Sequence, residues 1–394
     1  MLRGKVIDTS GSVAVRGRER SSHYWRDLDW ILLVAVVALT IFGSVLVWSA
    51  SRADLASEAD PQSYLKRHLI NVGIAMALGF IASRLQYRWL QAYTPILYGA
   101  AIVLLLIPFL PGLGTTIAGA RAWISVPGGF SLQPSEIAKV AVILMMAALL
   151  AERRDNENEP TSRDILLAIA AAVLPIGIIL LQNDTGTVLI LGAVAVALIA
   201  VAGAPTRWVI GLIGTAILGL LVAVQVGLLR EYQLERLTSF INPGADVGDA
   251  AYNANQARIA IGGGGLYGYG LFEGPQTQGK FVPVNESDFI FTVVGEELGF
   301  VGSALLLLLL AVVIWRAAMI AWRADDMYGR LVASGVVAWF AFQMFENVGM
   351  ALGIMPITGI PLPFVSAGGT SMMATYIAVG LLQTVRLHRA STLP

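Results

Sequence analysis

The run WILLVAVVALTIFGSVLVWSA, residues 30–50, carries no charged side chain and is long enough to cross a hydrocarbon layer of about 30 Å as a helix. A helix satisfies its own backbone groups where water is absent, so a run of this length reads as a transmembrane span. It exceeds the apolar core of a cleaved signal peptide. It also follows a basic, polar segment containing Arg3, Lys5, Arg16, Arg18, Arg20 and Arg26, and the two together read as a retained signal anchor.

Nine further apolar stretches follow, near residues 67–84, 89–110, 133–151, 165–182, 186–203, 208–229, 289–315, 331–352 and 370–387. They predict an all-α membrane protein, a polytopic bundle of about ten transmembrane helices. Composition agrees: 56% of residues are hydrophobic, 13% are charged and the mean hydropathy is +0.72, whereas a soluble domain carries roughly 25% charged residues. With the N-terminus inside, seventeen of the 26 lysines and arginines fall on the inner side and eight outside, four of those in one long loop, while Lys139 lies within a helix. Basic residues accumulate on the cytoplasmic side, so an even number of spans with both termini cytoplasmic is expected. The domain reading is a cytoplasmic basic tail over 1–29, a transmembrane domain over 30–389 and a cytoplasmic end over 390–394.

Two outward segments stand apart. The extracytoplasmic loop 230–288 is far longer than ordinary helix connections of about two to eight residues, which predicts a functional loop. The segment 353–369, GIMPITGIPLPFVSAGG, has no charge and three prolines. It is too apolar for a solvated loop and too broken for a helix, so it reads as a re-entrant element lining a protein-walled cavity. Several classes are excluded or disfavoured. The formal net charge is zero, which leaves no basic footprint for nucleic acid. There is no cysteine, and His23, His68 and His388 are far apart along the chain, so neither a thiolate site nor a histidine-based metal site is expected.

Ionisable groups inside spans cost about 2.5–3.5 kcal/mol on insertion scales, so each is a functional candidate. Glu136 and Lys139, three apart on one helix face, read equally as a structural ion pair and as a working pair. Glu296 and Glu297 are adjacent, so their side chains diverge by roughly 100° around a helix. Glu346 and Asn347 read as packing contacts. Asp288, in NESDFIFTV where a polar loop turns into an apolar helix, is the sharpest candidate base. Its competing reading is a helix N-cap, which would favour the carboxylate, whereas Phe289 and Phe291 would desolvate it. On a continuous helix Glu296 would lie about 12 Å further along, outside the roughly 6.5–9.5 Å of an inverting carboxylate dyad. The glycines 262–265, 268 and 270 read as loop turns or as a phosphate cradle lacking the Gly-Lys-Ser/Thr ending. Arg121 and Trp123 sit in an outer loop, where tryptophan also serves as a membrane anchor.

At these residues the chain resembles the SEDS family of peptidoglycan polymerases, most closely its RodA branch, with FtsW the sister branch. The strings are GARAW (119–123), QPSE with Lys139 (133–139), DTGT (184–187), NQARIAIGGGG (255–265), SDFIFTVVGEELG (287–299) and PITGIPLPFVSAGGTS (356–371). They span the membrane core from about 28 to 389. The resemblance implies a glycosyltransferase of the bacterial inner membrane that polymerises lipid II into glycan strands during elongation. It implies Asp288 as the general base, with Arg121, Trp123, Glu136, Lys139, Asp184, Glu296 and Ser366 as substrate-binding or supporting residues. Arg121, Lys139 or a divalent cation (Mg or Mn) would meet the charge growing on the pyrophosphate leaving group. An inverting transfer needs no covalent sugar intermediate. Implied partners are lipid II, a class B penicillin-binding protein beside the eighth and ninth spans, and elongation components such as MreC and MreD. The sequence departs from the family pattern at Ala122, Asn183, Val284 and Thr370. Two other readings compete: a flippase for lipid-linked precursors, which needs polar groups along a full path, and a non-enzymatic scaffold.

Overall fold

The computed structural model describes residues 24–52, 63–117, 119–126, 130–152, 159–227, 231–241 and 249–392. The basic tail up to residue 23, parts of the outer loop and the last two residues lie outside them.

Each predicted span is met by a helix: α1 Trp30–Ser51, α2 Ser63–Arg84, α3 Tyr87–Leu106, α4 Pro134–Ala151, α5 Ser162–Leu181, α6 Thr185–Val201 and α7 Thr206–Gln225 come first. In the loop that follows lie α8 Glu231–Ile241, α9 Asp249–Gly263 and the short α10 Pro275–Gln278. The chain closes with α11 Ile290–Glu297, α12 Gly299–Trp322, α13 Met327–Leu352 and α14 Gly369–Thr392. Among the described residues eight helices are long and apolar enough to cross a membrane. The other two expected spans are α6, which has 17 residues, and α14, whose hydropathy is lowered by Thr375, Gln383 and Thr384. Those three side chains are buried against neighbouring helices. Helix α7 has no buried residue, and Ile210, Ile217, Leu218 and Leu221 are exposed, as suits a helix facing lipid.

The helix ends follow local chemistry. Asp29 caps α1 through the Leu32 amide at 3.1 Å, Thr161 and Asp164 form a capping box on α5, and Asp184 caps α6 through Thr187. Gly353, at φ +76°, ends α13. The core runs the length of the bundle through Leu32, Leu39, Leu46, Met146, Val194, Leu331 and Trp339, all at most 1% exposed or fully buried. The start of α1, the α2–α3 turn and the end of α14 share one end of the bundle, joined by Tyr24–Ser83 and by Thr384 donating to the Ala82 carbonyl.

One expectation is corrected, and one element is added to the reading. The eighth span is not one helix over 289–315 but α11 and α12, separated at Leu298–Gly299. Gly299 sits at φ +64°, and a side chain there would collide with the backbone of Leu266 and Gly268. The glycine run 262–270 packs into that break: the Tyr269 and Gly270 amides donate to the Glu296 and Glu297 carbonyls, and Phe300 and Val301 donate back to Gly265 and Leu266. The amides of Gly268, Tyr269 and Gly270 are committed to protein, which favours the loop-turn reading over a phosphate cradle. Secondly, the outer connection before α4 is not simple coil. It forms a three-stranded antiparallel sheet, β1 Gly114–Ile117, β2 Ala120–Val126 and β3 Phe130–Leu132, in that order. The segment 353–368 is non-helical as expected, and its buried Ile360, Leu362, Phe364 and Val365 place irregular backbone inside protein rather than against lipid.

Candidate active site

At the far end of the bundle from Trp30, the turn before α11 is built on Val284. This residue adopts φ +54°, a costly conformation for a β-branched side chain. Its carbonyl accepts from the amides of Ser287, Asp288 and Phe289 at 3.1–3.4 Å. The helix N-cap is Phe289, without any side-chain capping bond. Asp288 is therefore not the cap, and the bland reading of this residue fails.

Long-range contacts instead hold Asp288 against the Pro-rich segment. Asn347 of α13 donates through Nδ2 to the Asp288 carbonyl and to the Ile360 carbonyl, both at 2.7 Å. Ser366 Oγ donates to the Ser287 carbonyl at 2.5 Å while accepting from the Leu362 amide, and the Ala367 amide donates to Glu286. Gly359 stands at φ +72°, where a Cβ would lie 3.1 Å from Asp288 Oδ2. The aspartate is thus clamped between α13 and the re-entrant backbone, with Ser287 Oγ donating to Oδ1 at 2.7 Å. Its side chain stays partly accessible.

The electrostatics favour a basic carboxylate. Burial pushes the Asp288 pKa up, the Ser287 hydroxyl and the Arg236 charge oppose this, and the negative charges of Glu286 and Asp184 add to the rise. Arg236, on α8, is a site neighbour that the sequence reading missed. Nothing in a lone arginine on an outer-loop helix marks it.

The other expected residues fall into three groups. Asp184 accepts from Gln133 Nε2, Ser135 Oγ and both the amide and hydroxyl of Thr187 at 2.9–3.1 Å, tying the starts of α4 and α6 together close to Asp288. Glu136 and Lys139 form a 2.9 Å ion pair that is essentially fully buried. Lys139 also donates to Gln343 Oε1 and lies 4.7 Å from the Trp339 ring, and Gln343 Nε2 donates to the Pro361 carbonyl. This pair braces the Pro-rich segment from below. Its ammonium is enclosed, so of the two cations expected to meet a leaving group only Arg121 is exposed. Glu296 is elsewhere: its two oxygens take the Gln276 and Thr277 amides and the Thr277 hydroxyl at 2.6–2.8 Å, fastening α10 to α11. Arg121 and half-buried Trp123 lie on β2, and the Arg121 amide donates to Gln182 beside the Asp184 turn. Glu346 and Asn347, read as packing residues, both bind the re-entrant segment, Glu346 through Thr358 at 3.1 Å. Among the described residues no three histidine or carboxylate side chains gather to hold a metal, and the Asp184 oxygens are taken up by hydrogen bonds.

A bundle with eight helices long and apolar enough to cross a membrane among the described residues, and a partly accessible aspartate clamped at one end, belongs to the class of polytopic helical membrane proteins. The FtsW/RodA/SpoVE family of cell cycle proteins matches residues 29–391, and the chain belongs to this family, the SEDS proteins. The probable peptidoglycan glycosyltransferase FtsW of Geobacter metallireducens is 36% identical over 366 residues, covering 92% of this chain and 96% of that protein. Stage V sporulation protein E of Bacillus subtilis is 36% identical over 361 residues, covering 91% and 96%. Among solved structures, a peptidoglycan synthase complex described as coordinating polymerization and crosslinking contains a chain with TM-score 0.74 and 31% identity, covering 92% of this chain and 98% of that one. The rod shape determining protein RodA of Thermus thermophilus has TM-score 0.66 and 29% identity, covering 93% and 98%.

Proposed function

We propose that this chain polymerises lipid II into glycan strands by inverting transfer, with Asp288 as general base, at the extracytoplasmic face of the membrane. The observation that carries this is the carboxylate itself: it caps no helix, its backbone is fixed by Asn347, and its surroundings raise its basicity. An acceptor sugar hydroxyl must lose its proton as it attacks the anomeric carbon, and one positioned carboxylate suffices. Arg121, whose side chain is exposed, would meet the charge growing on the pyrophosphate leaving group. The flippase reading is weaker, because the polar groups within the bundle, Glu136, Lys139, Gln343 and Glu346, are at most 2% exposed and enclosed. Synthesis of polymer by the purified chain from labelled lipid II tests the proposal.

Ionised Asp288 is the active form, so activity falls as pH drops through its raised pKa. The acid limb of kcat/KM should lie above the ordinary carboxylate value of about 3.9. Glu286→Gln removes a charge that raises the pKa and should move the limb down, whereas Arg236→Gln should move it up. A limb unmoved by both changes would assign it to another group.

The elongation role and the MreC and MreD contacts belong to the RodA reading, while the FtsW relatives favour division. The branch is tested by depletion in the native cell: rounded cells support elongation, filaments or chains support division. A class B penicillin-binding protein is the proposed partner, its membrane helix covering the exposed apolar face of α12 at Phe300, Leu305 and Leu308. In this reading both termini are cytoplasmic.

A further inference from the structure

At the end of the bundle opposite Asp288, Asp29 is 1% exposed and organises two arginines from distant helices. Arg316 of α12 places Nε at 3.1 and 3.2 Å and Nη2 at 2.7 Å from its oxygens, and Arg386 of α14 places Nη1 at 2.5 Å. Burial pushes the Asp29 carboxyl up, but the hydrogen bonds from Arg316 and Leu32 and the charges of Arg386 and Arg316 hold it below the usual range. The carboxylate therefore stays ionised and keeps both guanidinium groups in place.

Around this pair opens a recess of about 280 Å³, whose wall also carries Arg26, Arg323 and Arg389. Five arginines face two aspartates, Asp27 and Asp29. Arg389 is 3.7 Å from Asp325. Arg26 and Arg323 are exposed. The recess keeps an excess of positive charge after its internal pairs are formed. Its inner wall is apolar at Ile320 and Val385, and on the same helix Trp315 and Trp322 are 55% and 83% exposed. Exposed tryptophans near the end of an apolar helix mark the level of lipid headgroups. A cationic recess at that level, with an apolar side, has the chemistry of an acidic phospholipid site.

We propose that this recess binds the phosphate headgroup of an anionic phospholipid of the inner leaflet. The proposal rests on the orientation given above. Arg26 and Arg323 meet the phosphodiester, and the Asp29-held Arg316 and Arg386 form a fixed cationic floor.

The test uses the full chain purified in mild detergent and native mass spectrometry of lipid retained after addition of phosphatidylglycerol or phosphatidylcholine. Phosphatidylglycerol should be retained about ten-fold more than phosphatidylcholine. The double variant Arg26→Gln, Arg323→Gln, which leaves the Asp29 pairs intact, should lose about ten-fold of that retention. Equal retention of the two lipids, or wild-type retention by the variant, overturns the site. Displacement of the lipid by millimolar inorganic phosphate would also overturn it, in favour of a soluble anion. Sidedness is read separately. The chain has no cysteine, and Gln86→Cys, exposed at the same end of the bundle, should escape an impermeant maleimide in intact cells. Labelling there would refute the orientation, whereas the detergent measurement reports the site regardless.

Discussion

Replacing Asp288 by asparagine is expected to leave the protein folded in the membrane and to lower glycan synthesis from lipid II by about 10²–10⁴-fold, the usual contribution of a positioned general base. The substitution is nearly isosteric, and the contacts that fix residue 288 are made by its backbone. Asn347 binds its carbonyl and Val284 accepts from its amide. Among the described residues its side chain accepts one hydrogen bond, from Ser287 Oγ, and an amide oxygen can still accept it. Asparagine caps a helix about as well as aspartate, so the capping role is tested by Asp288→Ala, which at a true N-cap would cost about 0.5–2 kcal/mol. The absence of a capping bond predicts an unchanged melting temperature, measured on the detergent-purified protein beside the polymer assay. Full activity would remove the base, and loss of folded protein would restore a structural role.

The second large effect concerns Lys139. Changing it to methionine strands Glu136 as a buried charge next to Gln343 and Trp339, and breaking a buried pair from one side typically costs about 3–5 kcal/mol. Adding Glu136→Gln should recover much of that loss, because neither partner is then charged. Unfolding of purified protein in graded denaturant reads both variants. A fully active double variant would make the pair a brace for the Pro-rich segment. A stable but inactive one would give it a chemical role. A Lys139→Met single variant as stable as wild type would contradict the buried geometry.

The spans were legible because lipid imposes one constraint, an uninterrupted apolar helix, that composition records directly. The re-entrant segment was legible for the converse reason, since three prolines in an uncharged run fit neither helix nor solvated loop. The break at Leu298–Gly299 was not legible. Gly-Glu-Glu-Leu-Gly reads as continuous helix until the glycine turn from 264 to 270 is seen packed into it. The small sheet escaped because its strands are three to seven residues long and interrupted by glycine. Asp288 could be nominated but not decided from sequence. N-cap preference is local, whereas the residues that hold this turn, Asn347, Gly359 and Ser366, lie at least 59 positions away. Glu296 shows the same limit in reverse. A buried glutamate within a matching string turns out to fasten α10, through bonds to residues 19 and 20 positions earlier.

In the proposed mechanism Asp288 itself takes the proton of the acceptor hydroxyl. The most direct measurement is the pH dependence of single-turnover transfer from labelled lipid II by wild type and by Asp288→Asn. The wild-type rate should fall on the acid side with a limb above the ordinary carboxylate range. The slow residual rate of the variant should lack that limb, because the titrating group is gone. A variant that is slowed yet keeps the same acid limb would show that another group carries the proton.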